Sequence, residues 1–142
     1  MRIMLDVNVV LDVLFDRKQH VASASALWAK VERKELEGYL PAHGVTTIFY
    51  LATREKSRAA ARHMIELLLR VFRVGAIDHT VITRAMSLSS PDFEDAVCAA
   101  CAEAIQCDAL VTRDPKGFKG APLPVLDPTA ALAWIRTAQS ST

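Results

Sequence analysis

The first twelve residues, Met1-Arg2-Ile3-Met4-Leu5-Asp6-Val7-Asn8-Val9-Val10-Leu11-Asp12, constrain the fold more than any other stretch. An apolar run of strand length, Ile3-Met4-Leu5, leads straight into an acid. Such a run reads as a strand buried on both faces, the kind found in parallel sheets. An acid where that strand ends stands on the rim at which open α/β sheets bind ligands. A carboxylate there must be paired or must bind something, because an isolated buried charge is very costly. Asp6 is therefore the first candidate site residue.

The rest of the chain alternates helix-period and strand-like segments. Helical spacing runs from His20 to Glu37, through Val21, Ala24, Leu27, Trp28 and Val31. A second strand is expected at Tyr39-Leu40-Pro41-Ala42, followed by helices over 45–56 and 58–71, the latter capped by Ser57. Phe72 to Ile77 reads as a third strand, and Asp78 caps a short helix. Ser89-Ser90-Pro91-Asp92 opens a helix from Phe93 to about Gln106. Ala109-Leu110-Val111-Thr112 reads as a fourth strand. Leu123-Pro124-Val125-Leu126 is a fifth, placed at an edge by its proline. Asp127-Pro128 starts a last helix over 129–137. The alternation predicts an α/β fold with a mostly parallel sheet covered on both faces, as one domain over residues 1–138 with a frayed tail at 139–142.

Three acidic positions could carry chemistry. Asp6 ends the first strand and Asp114 follows the fourth. Asp92, Glu94 and Asp95 lie at the start of the helix between them, where Asp92 and Asp95 share a face. If the first and fourth strands are neighbours, Asp6 and Asp114 converge on one rim, and Asp95 can point across at them. Clustered carboxylates repel unless a cation sits among them. Oxygen-only ligands suit Mg²⁺ or Mn²⁺. A hard cation in such a setting favours hydrolysis of a phosphodiester by activated water.

Here the chain resembles the PIN-domain ribonucleases, which include the VapC-type toxins of bacterial toxin–antitoxin pairs. The resemblance rests on Leu5-Asp6-Val7-Asn8-Val9-Val10-Leu11-Asp12, on Pro91-Asp92-Phe93-Glu94-Asp95-Ala96, and on Ala109-Leu110-Val111-Thr112-Arg113-Asp114 with Phe118 after it. It implies a three-layer α/β/α fold with a five-stranded sheet in the order 3-2-1-4-5, an acidic Mg²⁺ or Mn²⁺ pocket, and cleavage of RNA. It also implies a protein antitoxin and a homodimer. On this resemblance Asp6, Asp95 and Asp114 are the catalytic metal-binding acids, Asp92 is an auxiliary ligand, and Asn8 and Thr112 are polar residues that brace the site. One departure stands out. Many such toxins carry a glutamate on the helix after the second strand, whereas Val45-Thr46-Thr47-Ile48-Phe49-Tyr50 holds no acid. Either Asp92 or Glu94 supplies that ligand, or the metal binds more weakly.

Several features have simpler explanations. Asp92 is a favoured helix cap, Glu94 a solvated first-turn acid, and Asn8 and Asp12 caps of the following turn. Cys98, Cys101 and Cys107 are an odd number in one segment and read as small core residues rather than as a zinc or redox site. His20, His43, His63 and His79 show no ligand spacing. Trp28, Phe49 and Tyr50 read as core or interface. The net charge is only +1, so any nucleic-acid surface must be local. The densest basic run is Arg54, Lys56, Arg58 and Arg62, which Arg17, Lys18, Arg113, Lys116 and Lys119 extend. No segment resembles a secretory signal or a membrane span, so a cytoplasmic protein is expected. The expected function is a Mg²⁺- or Mn²⁺-dependent endoribonuclease, the toxin of a type II pair. The alternatives are a catalytically weak PIN-like module that binds RNA or protein, and a phosphatase of the haloacid-dehalogenase type. The latter normally carries a second aspartate where this chain has Asn8.

Overall fold

A computed structural model describes residues 1–141. Five strands form one parallel sheet: β1 (Arg2–Leu5), β2 (Glu37–Pro41), β3 (Arg73–Gly75), β4 (Ala109–Val111) and β5 (Val125–Leu126). Their order is β3-β2-β1-β4-β5. This is the α/β architecture and strand order expected from the sequence. Ile3 pairs in register with Gly38 on one side and Ala109 on the other, and Leu5 with Val111. The order reverses between β1 and β4, so the crevice outside their carboxyl ends is where a ligand site belongs.

Helices cover both faces. They are α1 (Val7–Leu14), α2 (Val21–Glu32), α3 (Ala42–Glu55), α4 (Arg58–Val71), α5 (His79–Met86), α6 (Phe93–Ala104) and α7 (Pro128–Ser140), with a 3-10 turn at Pro115–Phe118. Side chains alternate across β1, so the core divides in two. Ile3 and Leu5 pack with Val9 and Val10 of α1, Leu27 and Trp28 of α2, Ile48, Leu68, Ala131 and Ile135. Met4 faces the other way, onto Val81, Ala85 and the small-residue stretch Ala96–Ala102 of α6. Trp28 and Phe72 meet edge to face, 5.1 Å between ring centres, a favoured aromatic geometry.

Cys98, Cys101 and Cys107 are buried free thiols in the second cluster. Burial pushes Cys101 up to about 11 and Cys107 up to about 12, so both stay protonated. Small side chains let α6 lie close to the sheet, as the sequence suggested. Among the described residues no helix is long and apolar enough to cross a membrane.

Several boundaries differ from expectation. α1 begins directly after Asp6, where the sequence showed only continuing apolar character. Val7, Val9, Val10 and Val13 are β-branched and poor helix formers, so packing of Val9, Val10 and Leu11 against the sheet decides the matter. α2 stops at Glu32, five residues short of Glu37, because Lys34 adopts a left-handed φ of 61°. α3 starts at Ala42, straight from Pro41. β3 keeps three of the six residues anticipated, and β5 excludes Leu123 and Pro124. α7 continues to Ser140, while Thr142 of the anticipated frayed tail lies outside the described residues.

Gly38 shows how tightly the strands and helices meet. A Cβ at Gly38 would lie 2.8 Å from both Phe72 and Val31. Gly38→Ala is expected to cost about 1–3 kcal/mol through overpacking. Urea unfolding measures it; an unchanged midpoint would contradict the packing described.

Candidate metal centre

The site is built by two adjacent strand ends. Because Leu5 and Val111 are in register, Asp6 and Thr112 are the next residues on neighbouring strands, and the Asp6 N–H still donates to the Val111 carbonyl at 2.9 Å. Asp6 caps α1, its Oδ1 accepting from the Val7 N–H at 2.8 Å. Its Oδ2 accepts from the Thr112 hydroxyl at 2.8 Å. Thr112 is fully buried. Its Oγ1 also accepts from the Asp114 N–H at 3.2 Å and lies 3.4 Å from Asn8 Nδ2. Asn8 Oδ1 in turn accepts from the Arg113 N–H at 3.3 Å. One hydroxyl and one amide thus fix Asp6 relative to the loop that carries Asp114.

The start of α6 supplies the third acid. Asp92 is its cap, with Oδ1 accepting from the Asp95 N–H at 3.1 Å. The capping role given to Asp92 is therefore real, and it holds Asp95 in the first helical turn. Ser90 donates to the Asp92 carbonyl at 3.0 Å and lies 3.2 Å from the Gly117 carbonyl. That contact ties the helix start to the turn after Asp114. A Cβ on Gly117 would stand 3.0 Å from Asp95 Oδ2 and 3.3 Å from Asp114 Oδ2. Gly117 therefore leaves the space into which both carboxylates point.

The electrostatics follow from this crowding of acids. Burial raises the Asp6 carboxyl above its ordinary value, against the Thr112 hydroxyl and the Val7 N–H, which favour its ionised form, as does His43. Asp95 is pushed up to about 7, first by burial and then by Asp6, Asp92, Asp114 and Glu94. An acid half-protonated near neutral pH beside four others is a group short of a counter-charge. Among the described residues, no three His, Cys, Asp or Glu side chains already stand in an arrangement that could hold a metal ion. An ion would therefore have to draw the carboxylates closer. The all-oxygen donor set and the Gly117 space fit a hard divalent cation.

Some contributors were invisible in the sequence. His43 lies in the first turn of α3, with Nε2 3.1 Å from the Glu94 carbonyl and a buried Nδ1 without a partner. It lies two residues before Val45, and nothing in its spacing marked it. Ser90 and Gly117 act through loop contacts that no local pattern announces. Asp12 is no cap: it lies inside α1, fully buried, 2.8 Å from Arg113 Nε. That contact is close but poorly aligned, so it is an ion pair rather than a good hydrogen bond. An acid inside the apolar run Val9-Val10-Leu11-Asp12-Val13-Leu14 was the available sign.

The run Arg54–Arg62 spans the α3–α4 junction, where Arg54 covers the Tyr50 ring at 5.6 Å and Arg58 the Phe49 ring at 5.9 Å. From His43 to this junction is about 18 Å of helix, so the run does not border the acids. A cavity of about 840 Å³, lined by Arg2, Lys34, Gly38, Arg70 and Arg73 among others, opens at the amino edge of the sheet, away from the acids.

The pH behaviour of the metal-free protein follows from Asp95. Its folded value of about 7 exceeds the ordinary 3.8, so the unfolded chain releases this proton first as pH rises. Stability contributed by the protonated group is therefore lost across that window. Asp95→Asn is expected to flatten the fall in melting temperature over the window and to raise the melting temperature at mildly alkaline pH in chelator-treated protein. A profile identical to the parent's would contradict the crowding of acids.

The sequence model for the PIN domain matches residues 2–116. No curated protein matches significantly. Among solved structures, VapBC2 from Rickettsia felis bound to a promoter DNA fragment superposes with a TM-score of 0.70 at 16% identity, covering 89% of this chain and 98% of that one. VapBC-1 from nontypeable Haemophilus influenzae gives 0.67 at 16%, covering 91% and 99%. VapC20 of Mycobacterium tuberculosis, described as a sarcin–ricin loop cleaving toxin, gives 0.62 at 18%, covering 76% and 86%. These likenesses show a shared fold. With the family match extending over most of the chain and the strand order agreeing, the chain belongs to the PIN-domain family.

Proposed function

We propose that this protein is a metal-dependent endoribonuclease and the toxin of a type II toxin–antitoxin pair. One observation carries the reading: the Asp95 and Asp114 carboxylates point into one space beside Gly117, at the strand ends where Thr112 holds Asp6. Asp6, Asp95 and Asp114 would hold Mg²⁺ or Mn²⁺, with Asp92 as the auxiliary acid. When bound, such an ion polarises a phosphoryl oxygen and makes a coordinated water more acidic.

The chain's own residues prepare for this. Thr112 donates to Asp6 and so favours its ionised form. Asn8 and the Arg113 N–H fix the strand-end loop. Asp92 spends Oδ1 on the helix cap, which leaves its other oxygen for a ligand. Gly117 keeps the space between Asp95 and Asp114 open.

The partners follow the same reading. The substrate is RNA, and the place of action is the cytoplasm. A protein antitoxin is supported by the VapBC assemblies among the structural neighbours. A homodimer would cover part of the apolar surface left exposed at Tyr50, Leu69, Met86 and Phe93. Membership of the PIN family removes the phosphatase alternative. A catalytically weak RNA-binding relative remains the second reading, favoured by α3, whose only acid is Glu55 at its far end.

Asp6→Asn keeps the volume and removes one ligand charge. Cleavage of RNA with Mn²⁺ is expected to fall by at least the roughly 10–100-fold that losing an outer-shell partner costs, with the fold retained by circular dichroism. Undiminished cleavage by a pure preparation would overturn the assignment. A wild-type protein that binds RNA without cleaving it would favour the second reading.

A further inference from the structure

The ion pair between the buried Asp12 carboxylate and the half-buried Arg113 side chain lies beside the acid centre, because Arg113 follows Thr112 and precedes Asp114. Asp12 is fully buried and faces two arginines, Arg113 Nε at 2.8 Å and Arg17 Nη1 at 3.4 Å. Burying a carboxylate is costly, and an apolar pair of similar volume is often at least as stable. Asp12 has two guanidinium partners, so Arg113 is not neutralised by Asp12 alone. The arrangement therefore fixes a cation more than it stabilises the core.

Arg113 is directed into a small polar cleft. Its Nη1 lies 3.3 Å from His20 Nε2, and Asp12 holds the Nε side, so the rest of the guanidinium lines the cleft. The cleft has a volume of about 280 Å³, and its other walls are Gln19, Ser23, Asp127, Pro128 and Thr129. The lining also holds one acid, Asp127, whose Oδ1 accepts from the Ala130 N–H at 2.7 Å in capping α7, so Arg113 faces it as well as Asp12. Arg113 also stands between Thr112 and Asp114, both members of the acid centre. The cleft and that centre therefore open from the same strand-end loop.

We propose that this cleft is a phosphate subsite that takes a phosphodiester of the RNA backbone neighbouring the one at the acid centre. The inference rests on the ribonuclease reading and names how its substrate is gripped. The cleft has room for a phosphate group beside the Arg113 guanidinium. Guanidinium groups bind phosphate through paired donors in a fixed plane. The acid centre repels a polyanion, and a fixed cation on the same loop offsets that repulsion without entering the metal site.

The test uses the cleavage-deficient Asp6→Asn protein and a fluorescent single-stranded RNA, read by anisotropy over a range of salt concentrations. Ser23→Glu places a carboxylate in the cleft and leaves the Asp12–Arg113 pair alone; Gln19→Glu does the same from the cleft's loop side, should Ser23→Glu fail to fold. Each is expected to weaken RNA binding about tenfold and to shrink the salt dependence by about one phosphate contact. Thr83→Glu, exposed on α5, carries the same charge change at a distance and is expected to bind as the parent does. In the cleavage-competent protein, Gln19→Glu is expected to raise KM with little change in kcat. Equal RNA affinity and salt slope in parent, Ser23→Glu and Gln19→Glu proteins would overturn the subsite and leave the ribonuclease reading standing. A parent that binds no RNA would overturn both. Inorganic phosphate at millimolar concentration is expected to compete only weakly with RNA; tight phosphate binding with RNA affinity unaffected by the cleft variants would assign the cleft to free phosphate and overturn the proposal.

Discussion

The hydroxyl of Thr112 is the contact on which the site depends. It joins the ends of the two central strands by donating to Asp6 and accepting from the Asp114 N–H. Parallel pairing of β1 and β4 brings these residues side by side, but pairing alone does not orient a carboxylate. The buried hydroxyl does, and in a low-dielectric setting its bond to an ionised oxygen is stronger than the same bond in water. The switch in strand order between β1 and β4 then gives the oriented acid an open crevice to face.

Around this contact the chain gathers acids whose charges add to burial in raising the Asp95 carboxyl. Asp95 and Asp114 are brought to either side of Gly117, and Asp92 holds Asp95 in place while adding to the repulsion. The rest of the structure absorbs that strain through rigidity. Two separate cores clamp the sheet from both faces, α6 packs closely through alanines and cysteines, and Ser90 ties the start of α6 to the turn beyond Asp114. A second buried acid, Asp12, is handled in the opposite way, with arginines as its partners. Two carboxylates on one short stretch thus meet opposite electrostatic fates. Asp6 is left partly uncompensated, and Asp12 is paired.

Much of this was legible in the sequence. The apolar run Ile3-Met4-Leu5 ending at Asp6, the Ser57, Asp78 and Asp127 caps, and Ala109–Val111 each state their structure locally, because periodicity and capping are short-range physics. The strand order is a long-range property, and it came through resemblance rather than periodicity. What failed locally was decided elsewhere in the molecule. α1 is rich in valine, and only its docking on the sheet makes it helical. α2 ends where Lys34 turns left-handed, which no glycine marks. Among the proposed site residues, the acids stood out because carboxylates at strand and helix ends are conspicuous. Gly117, Ser90 and His43 were not, because each acts by proximity across loops distant in sequence. Asp12 sat in plain view inside an apolar run, and its partner Arg113 could be named only once β4 lay beside β1.

The central proposal is that these carboxylates crowd one space and take up a divalent cation. Calorimetric titration of Mn²⁺ into chelator-treated protein just below neutral pH, repeated in buffers of different ionisation enthalpy, tests it most directly. The account predicts a single site whose filling releases protons, because Asp95 must ionise to accept the ion, and predicts that the release disappears in Asp95→Asn. No binding at millimolar Mn²⁺, or binding with no proton released, would contradict it.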